Sequence, residues 1–241
     1  MSASEVQGWL AVVGGLLTAA LGLLGFLNYR TRRDYFAMVG EAFSSTVDGL
    51  SDEKLTKQIA AAVLLRRFFD PQTEQGRRGG PYRLEAVNVI AGMLREQQHA
   101  RLQKALADGL RYARVLTNVD LQQCKLTNAY LGQKKGDDWV LDLSEADLFE
   151  ANLDGASLKK VKAEGAVFYL GSLKGTVFED AVLAGADFRD AELDGAKFGG
   201  AVIERAKFQG AKNIPPEVAV LLDDRHIARV GARVPTPVER H

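Results

Sequence analysis

The sequence is poor in the residues that most often carry out chemistry. Its 241 residues include one cysteine and three histidines, namely Cys124, His99, His226 and His241. One cysteine excludes an internal disulfide framework, and the histidines lie far apart and form no metal-ligand set with a cysteine or aspartate. The motifs of serine hydrolases, phosphate-binding loops and zinc proteases are also missing. We therefore expect no enzyme activity, no metal and no cofactor, with the cysteine packed inside and the histidines at the surface.

A surplus of charge is missing as well. The chain carries 31 basic and 31 acidic side chains, and residues 114–211 hold 12 basic against 16 acidic ones. One short stretch, Gly76–Gly80, has the sequence GRRGG and could grip phosphate, because arginine suits bidentate contact with phosphate oxygens. No strand pattern precedes it to fix its shape, so a flexible loop is the favoured interpretation.

Charge is absent altogether between Glu5 and Arg30. A helix from Trp9 to Tyr29 would span about 32 Å, roughly the hydrocarbon core of a bilayer. The two aromatic residues stand at its ends, where interfacial aromatics belong. A cleaved signal peptide is the alternative, but it requires basic residues before the apolar run, and here the basic residues follow it. We predict a transmembrane anchor over residues 1–30.

Three arginines set the expected orientation of this anchor. Arg30, Arg32 and Arg33 come directly after the apolar run, and basic residues flanking a span remain on the cytoplasmic side. The expected location is therefore a cell inner membrane, crossed once, with the C-terminal part in the cytoplasm. Small residues recur every fourth position, including Gly15 and Gly22, so the helix has a possible homodimer face. Glycine and alanine are, however, common in membrane helices generally.

Residues 31–113 have the pattern of a soluble α-helical domain. Apolar residues recur at steps of three and four from Phe36 to Leu50, which is typical of an amphipathic helix. A second helix is expected to begin near Ser51 and to end at Asp70, before a proline. Two more helices follow a glycine-rich loop. Packed against the next part of the chain, these helices would cover its open end.

The chain is dominated by a period of five between Leu141 and Ala211. The third residue of each unit is large and apolar in thirteen of fourteen units, and the first is alanine in ten. Neither a helix, with a period of 3.6, nor a flat strand, with a period of 2, explains this spacing. A coil that turns a corner once per unit does, because the first and third residues both face inward and the last two form the turn.

The repeated unit consists of alanine, then Asp or Asn, then Leu or Phe, then two variable residues. Repeated this many times, the unit resembles the pentapeptide-repeat family. The resemblance implies a right-handed quadrilateral β-helix with four units per coil, over residues 114–212. Imperfect units with Leu116, Leu121, Leu126 and Leu131 at the centre begin the array. Together with the preceding helices, the expected fold class is α+β in several parts.

Two irregular segments accompany the repeats. Residues 134–140 interrupt the register of five, so we expect a loop that leaves one corner of a coil. Within it, Trp139 either lies on the flank of the coil or is an exposed contact residue. After the array, residues 213–230 are expected to form a C-terminal capping helix. Residues 231–241 show no periodicity and are expected to be disordered.

The expected function is that of a non-enzymatic, membrane-anchored scaffold that binds an unknown protein partner. With Trp139, the candidate partner-binding residues are apolar side chains at outward positions of the repeats: Phe149, Tyr169, Leu170, Val177, Val182 and Val202. Phe149 and Tyr169 are twenty residues apart and should stack, so they could instead merely cover each other.

The family resemblance implies one alternative, a DNA-mimicking regulator of DNA gyrase of the quinolone-resistance type. Such mimicry needs dense negative charge, because duplex DNA carries one charge per roughly 1.7 Å. Cations including Lys159, Lys160 and Lys162 are interspersed among the acidic residues here. Direct nucleic-acid binding is not expected.

Overall fold

The computed structural model describes residues 3–76, 80–96 and 98–236, without the side chains of residues 3–22 and of Phe26. The chain divides into two compact units, Met1–Ser44 and Ser45–His241. The first unit is the greater part of one helix, and the second contains the remaining helices and the repeats. The candidate phosphate loop falls mostly in residues 77–79, which lie outside the described residues.

The N-terminal helix α1 runs without a break from Ala3 to Leu50. The boundary expected after residue 30 therefore does not interrupt the helix. No helix among the described residues has an apolar stretch long enough to cross a membrane. Most of the expected span from Trp9 to Tyr29, with Gly15 and Gly22, lies where side chains are not described.

Three further helices follow the turn after α1. They are α2 (Leu55–Leu65), α3 (Arg83–Arg95) and α4 (Ala100–Leu110), and short 3-10 turns extend α2 to Phe68 and α4 to Ala113. The helix α2 begins later than expected, because the Asp52 carboxylate accepts a hydrogen bond from the Lys54 backbone N–H. Each helix buries one apolar face, as amphipathic helices do.

The repeats form a solenoid with four faces, as their period predicts. From residue 142 onward, parallel bridges join residues twenty apart, such as Asp142 with Lys162 and Lys162 with Val182. Twenty residues are four units of five, so each coil has four sides. Each side contributes one bridged residue instead of a continuous strand, because a corner comes every five residues.

The four faces are named here by the bridged residues that stack in successive coils. Face 1 contains Val115, Asp142, Lys162, Val182 and Val202; face 2 contains Asp120, Asp147, Val167, Asp187 and Lys207. Face 3 contains Lys125, Asn152, Ser172, Glu192 and Lys212; face 4 contains Tyr130, Ser157, Val177 and Lys197. The two residues before the inward alanine of the next unit form the corner that ends each face.

The interior is filled as the sequence predicts. Every central residue from Leu143 to Phe208 is fully buried, and so are the small residues two positions earlier, apart from traces of exposure. One polar side chain, Thr176, occupies an inward position, and its hydroxyl donates to the Leu153 carbonyl at 2.8 Å. Buried polar groups cost stability unless they are hydrogen-bonded, and this one is.

The insertion leaves the coil at one corner, as expected. The bridges of the first coil join residues that are twenty-seven apart, for example Val115 with Asp142 and Tyr130 with Ser157. The extra seven residues are residues 134–140. Since the bridges on both sides keep their order, the insertion adds a loop and does not disturb the stacking.

The helices cover the open edge of the first coil. Carbonyl groups on that edge accept hydrogen bonds from long side chains of α3, α4 and the turn after α4, one for each face. The donors are Arg83 to Val115, Arg95 to Asp120 and Gln122, Gln103 to Lys125 and Arg111 to Gly132, at 2.9–3.3 Å. The backbone N–H of Lys125 also donates to Leu94 at 2.7 Å. Edge groups that would otherwise be unpaired are thereby satisfied.

The expected capping helix over residues 213–230 is wrong beyond its first turn. The helix α5 covers only Pro216–Ala219, and the chain then turns where the Asp223 carboxylate accepts hydrogen bonds from two backbone N–H groups. The following segment pairs antiparallel with the last coil, joining Ile227 to Lys207 and Arg233 to Val202. An extended segment can pair with the free backbone groups of that coil, and a helix cannot.

The expected disorder of residues 231–241 is wrong for the part that the structure describes. Val234 is almost completely buried. Its backbone N–H donates to Ala201, and its carbonyl accepts from Gly200. Residues 237–241 lie outside the described residues.

Candidate interaction surface

The residues predicted to bind a partner occupy four separate places. Phe149, Tyr169 and Leu170 lie together on face 2 and the corner that ends it. Val182 and Val202 belong to face 1, Val177 to face 4, and Trp139 to the insertion. Face 1 is partly covered at its last coil, where Val202 pairs with Arg233 of the C-terminal segment. The structure therefore brings Phe149, Tyr169 and Leu170 together on face 2 and, separately, Val182 and Val202 on face 1.

Face 2 carries a column of planar side chains in three successive coils. The rings of Phe149 and Tyr169 have their centroids 5.6 Å apart at an angle of 43°. The guanidinium group of Arg189 lies 5.3 Å from the centre of the Tyr169 ring, within the range of a cation–π interaction. Both rings remain half-buried. They cover each other in part, and the rest of their surface faces solvent.

The position of Arg189 is fixed by a short ion pair. Its guanidinium donates to both carboxylate oxygens of Asp187 at 2.6–3.0 Å, and its backbone N–H donates to the same carboxylate. Burial by itself would raise the pKa of Asp187, but the hydrogen bonds from Arg189 hold that pKa below its usual value. Bidentate pairs of this kind are geometrically specific, so the Arg189 side chain has a fixed position at the end of the column.

Leu170 extends the column sideways onto the corner. Its side chain is 44% exposed, and its backbone has a φ of 58°. The equivalent corner positions in the coils before and after it are Glu150 and Asp190, with φ of 55° in each. A left-handed backbone is favourable for glycine and unusual for leucine. The turn itself therefore does not require an exposed leucine at this position.

Trp139 lies on the flank of the coil, the first of the two positions considered for it. The Arg111 and Arg114 guanidinium carbons lie 4.7 and 4.8 Å from its ring centre. Arg111 also lies 5.9 Å from the centre of the Tyr112 ring, and Arg66 lies 4.7 Å from the same ring centre. This stack of cation–π contacts joins the insertion to the helices.

Arg111 holds the insertion in place. Its side chain is 4% exposed and pairs with the Asp137 carboxylate, while its Nε donates to the Gly132 carbonyl at 2.9 Å. Burial lowers the pKa of Arg111 from its ordinary value. A polar cavity of about 330 Å³ lies beside this stack. Three cations and three acids line it, namely Arg111, Arg114, Lys134, Asp70, Asp137 and Asp138.

The stacking of charged side chains between coils is confirmed for one pair. Lys159 and Glu179 are twenty residues apart, and their side chains meet at 2.8 Å. In the neighbouring column the Asp154 carboxylate accepts from the Lys174 backbone N–H at 2.9 Å, so this contact involves the backbone instead of the ammonium group.

The two described histidines and the cysteine that were considered for metal or redox chemistry cap a helix, lie at the surface or pack inside the solenoid. His99 caps α4, where its Nδ1 accepts from the Arg101 backbone N–H, and His226 is exposed. In the described part of the chain no group of three or more His, Cys, Asp or Glu could hold a metal ion. Cys124 is fully buried as expected, and burial raises the pKa of its thiol to about 11.

Comparison with known proteins identifies the repeats. The family model for pentapeptide repeats matches residues 142–170 and 171–211, with eight copies. The crystal structure of HetL, a protein involved in heterocyst differentiation regulation in the cyanobacterium Nostoc sp. strain PCC 7120, is 29% identical. The matched region covers 47% of this chain and 48% of the HetL chain, with a TM-score of 0.35. This chain thus spans about half the length of HetL.

Two further solved structures share the repeats at lower identity. Rfr23 from the cyanobacterium Cyanothece 51142 is 23% identical over 41% of this chain and 86% of its own, with a TM-score of 0.23. Full-length QnrB1, a plasmid-mediated fluoroquinolone resistance protein, is 14% identical over 40% of this chain and 62% of its own, also with a TM-score of 0.23. No curated protein sequence matches this chain.

Proposed function

We propose that this chain, whose residues 142–211 match the pentapeptide-repeat family model, is a non-enzymatic scaffold that is anchored in a membrane and binds a partner protein through face 2 of its solenoid. The observation that carries the proposal is the cluster of Phe149, Tyr169 and Leu170 on a rigid surface. Exposed apolar side chains grouped in this way mark interaction sites more often than single ones do.

The rigidity of the solenoid supports this role. Each coil is bridged to the next on all four faces, and the aromatic core residues stack along the axis. Side chains on such a surface keep fixed positions before a partner arrives, which lowers the entropic cost of binding. The partner contacts are then made by side chains and leave the backbone pairing intact.

The anchor is proposed from the sequence of α1. No charge occurs from Val6 to Tyr29, and a basic cluster follows. The described apolar side chains Leu23, Leu24, Leu27 and Tyr29 are 46–66% exposed, which suits contact with lipid. The proposed arrangement is a single pass through an inner membrane with the solenoid in the cytoplasm.

Carbonate extraction of membranes tests the anchor. The full-length chain is expected in the membrane pellet, and a variant without residues 1–29 in the supernatant. Recovery of the full-length chain in the supernatant would contradict the anchor. For the proposed dimer face, Gly15→Leu with Gly22→Leu is expected to abolish cross-linking in membranes, and unchanged cross-linking would reject that face.

Capture from solubilised membranes tests the scaffold. We expect the wild-type chain to retain a protein that the double variant Phe149→Ser with Tyr169→Ser does not retain. Val115→Ser, an outward substitution at an exposed position of face 1, is the matched control and should retain it. The proposal fails if the captured proteins are the same for all three chains while their thermal stability is unchanged.

The charge distribution favours this role over DNA mimicry. The outward acidic residues are interspersed with cations, and Lys159 and Arg189 form ion pairs with two of them. A DNA mimic needs closely spaced negative charge along its length. An assay of DNA gyrase supercoiling with the purified chain separates the two functions, because a scaffold of this kind leaves supercoiling unchanged.

A further inference from the structure

Face 2 has the largest acidic excess of the four faces as well as the aromatic residues; face 1 follows, with four carboxylates against two cations. With its corner positions face 2 carries five carboxylates against two cations: Asp120, Asp147, Glu150, Asp187 and Asp190 against Arg189 and Lys207. Face 3 is balanced, with Asp154, Glu192 and Asp194 against Lys125, Lys174 and Lys212. The largest acidic excess therefore coincides with the exposed apolar cluster.

Two of the five carboxylates are already neutralised. Asp120 pairs with Arg95 of α3 at 2.8 Å, and Asp187 pairs with Arg189 at 2.6 Å. The cation Lys207 also acts on Asp187. These acids belong to the structure of the solenoid and its helical cover.

In the described part of the chain, the remaining three acids form no ion pair: Asp147 and Glu150 accept hydrogen bonds from neutral groups, and Asp190 interacts with Arg189 only through its electrostatic field. Asp147 accepts from the Gln122 side-chain amide and the Phe149 backbone N–H, and Glu150 accepts from the Gln123 amide at 2.8 Å. Across the described residues, none of Asp147, Glu150 and Asp190 forms an ion pair. Glu150 and Asp190 are exposed. Among the residues described, face 2 thus presents three carboxylates without ion-pair partners next to its apolar cluster.

The order of residues along the corner defines what can bind. Glu150, Leu170 and Asp190 occupy the same corner position in three successive coils, so an exposed leucine lies between two carboxylates. Adjacent chains in a bridged stack are about 4.8 Å apart, which places the two acids about 9.6 Å from each other. A partner must therefore offer two cations at about that spacing with an apolar residue between them.

This spacing selects a helix over an extended segment. In a helix, residues at i and i+7 lie on one face about 10.5 Å apart, with i+3 and i+4 between them. In an extended segment, residues on one face are about 6.8 or 13.6 Å apart. The first geometry matches the two acids, and the second does not.

We propose that face 2 docks a basic amphipathic helix of the partner protein, with its axis along the solenoid. The proposal rests on the scaffold function above. Lysine or arginine at i and i+7 pairs with Glu150 and Asp190, and apolar residues at i+3 and i+4 contact Leu170, Tyr169 and Phe149. Arg189 does not oppose this docking, because Asp187 compensates its charge.

A designed peptide provides the probe. It is an alanine-based helix of about eighteen residues with lysine at i and i+7 and leucine at i+3 and i+4, labelled for fluorescence anisotropy with the purified full-length chain. A second peptide with glutamate in place of both lysines is the control. The lysine peptide is expected to bind with an affinity that falls as salt rises, and the glutamate peptide is expected not to bind.

Charge reversal on the protein tests the contacts. Glu150→Lys with Asp190→Lys is expected to weaken the lysine peptide about tenfold or more. Lysine is compatible with this corner position, because Lys160 occupies it elsewhere with a φ of 61°. Glu145→Lys is the matched control, since Glu145 has the same corner position on face 1 with a φ of 57°. The affinity of this variant for the lysine peptide should stay at the wild-type level.

The outcomes separate this proposal from the scaffold function. Equal binding by the double charge reversal and the wild type, or binding that salt does not affect, overturns the basic helix. The double variant Phe149→Ser with Tyr169→Ser could lose the native partner while Glu150→Lys with Asp190→Lys retains it. That result would support the scaffold function and contradict the docking of a basic helix. If neither pair of substitutions changes partner capture, both proposals fail.

Discussion

The phenyl rings of Phe168 and Phe188 lie parallel, with centroids 4.9 Å apart and planes 8° from each other. They occupy the same position in successive coils. Phe208 continues the stack at 5.0 Å, while Phe178 and Phe198 meet Phe188 edge-on from the next column. One residue at the centre of this arrangement thus contacts four other rings.

Replacing Phe188 should therefore be costly in proportion to the volume removed. Phe188→Ala is expected to lower the free energy of unfolding by about 3–5 kcal/mol, because the cavity cannot close in a bridged stack. Phe188→Leu should cost less, because it leaves a smaller cavity and leucine fills the same position in earlier coils at Leu121 and Leu148. Urea unfolding followed by circular dichroism measures both, and equal losses would contradict the stacked core.

Arg95 is expected to stabilise the junction between α3 and the first coil. Arg95→Met leaves the Asp120 and Gln122 carbonyls without their side-chain donor and should cost about 1–3 kcal/mol. Arg101→Met, in an exposed part of α4, is the control and should be nearly neutral. Hydrogen exchange of the first coil should rise only in the Arg95 variant, and protection equal to the wild type would argue against edge capping.

Two glycines should respond to alanine in opposite directions. At Gly132 an added Cβ would lie 2.8 Å from the backbone N and O of Lys159, so Gly132→Ala should destabilise the chain by about 1–3 kcal/mol. At Gly92, in the exposed middle of α3, nothing lies within 4 Å of an added Cβ. Gly92→Ala should stabilise by about 0.5–1 kcal/mol through helix propensity. Thermal unfolding distinguishes the two signs.

Cys124 should make stability fall at alkaline pH. Its pKa is raised by burial from an ordinary value of 9.0 to about 11, so the folded state keeps a neutral thiol that the unfolded chain would ionise. The contribution is fully present below about pH 9 and is lost as pH rises towards about 11. Cys124→Ala removes this loss. Unfolding midpoints of the two chains should run parallel at pH 7–9 and diverge above; parallel curves throughout would contradict the buried thiol.

The solenoid was predictable because its signal is periodic and local. A central residue such as Phe198 is inward for the same reason as Phe188, and the register break at residues 134–140 fixes the position of the loop. The stack around Trp139 was not predictable, because Arg111 and Arg114 meet the ring only after the helices have packed on the first coil.

The C-terminal cap failed for a related physical reason. Spacings such as Val218 to Leu222 are compatible with a helix in isolation. The backbone groups of the last coil needed partners, however, and Ala228 supplies them by pairing with Ala206 and Arg205. Tertiary hydrogen bonding overrode local propensity. The acidic excess on face 2 was not predicted, because the residues that form it, from Asp120 to Asp190, become neighbours only when the coils stack.

Covered rims at the first and last coils have a consequence for assembly. A bare coil is a template on which another molecule could add its own repeats, and head-to-tail addition of that kind builds filaments without limit. Here side chains such as Arg83 occupy one rim, and residues around Ala228 and Val234 occupy the other. Within the described residues, neither rim of the solenoid is a growth end, and an association between solenoids has to use their sides.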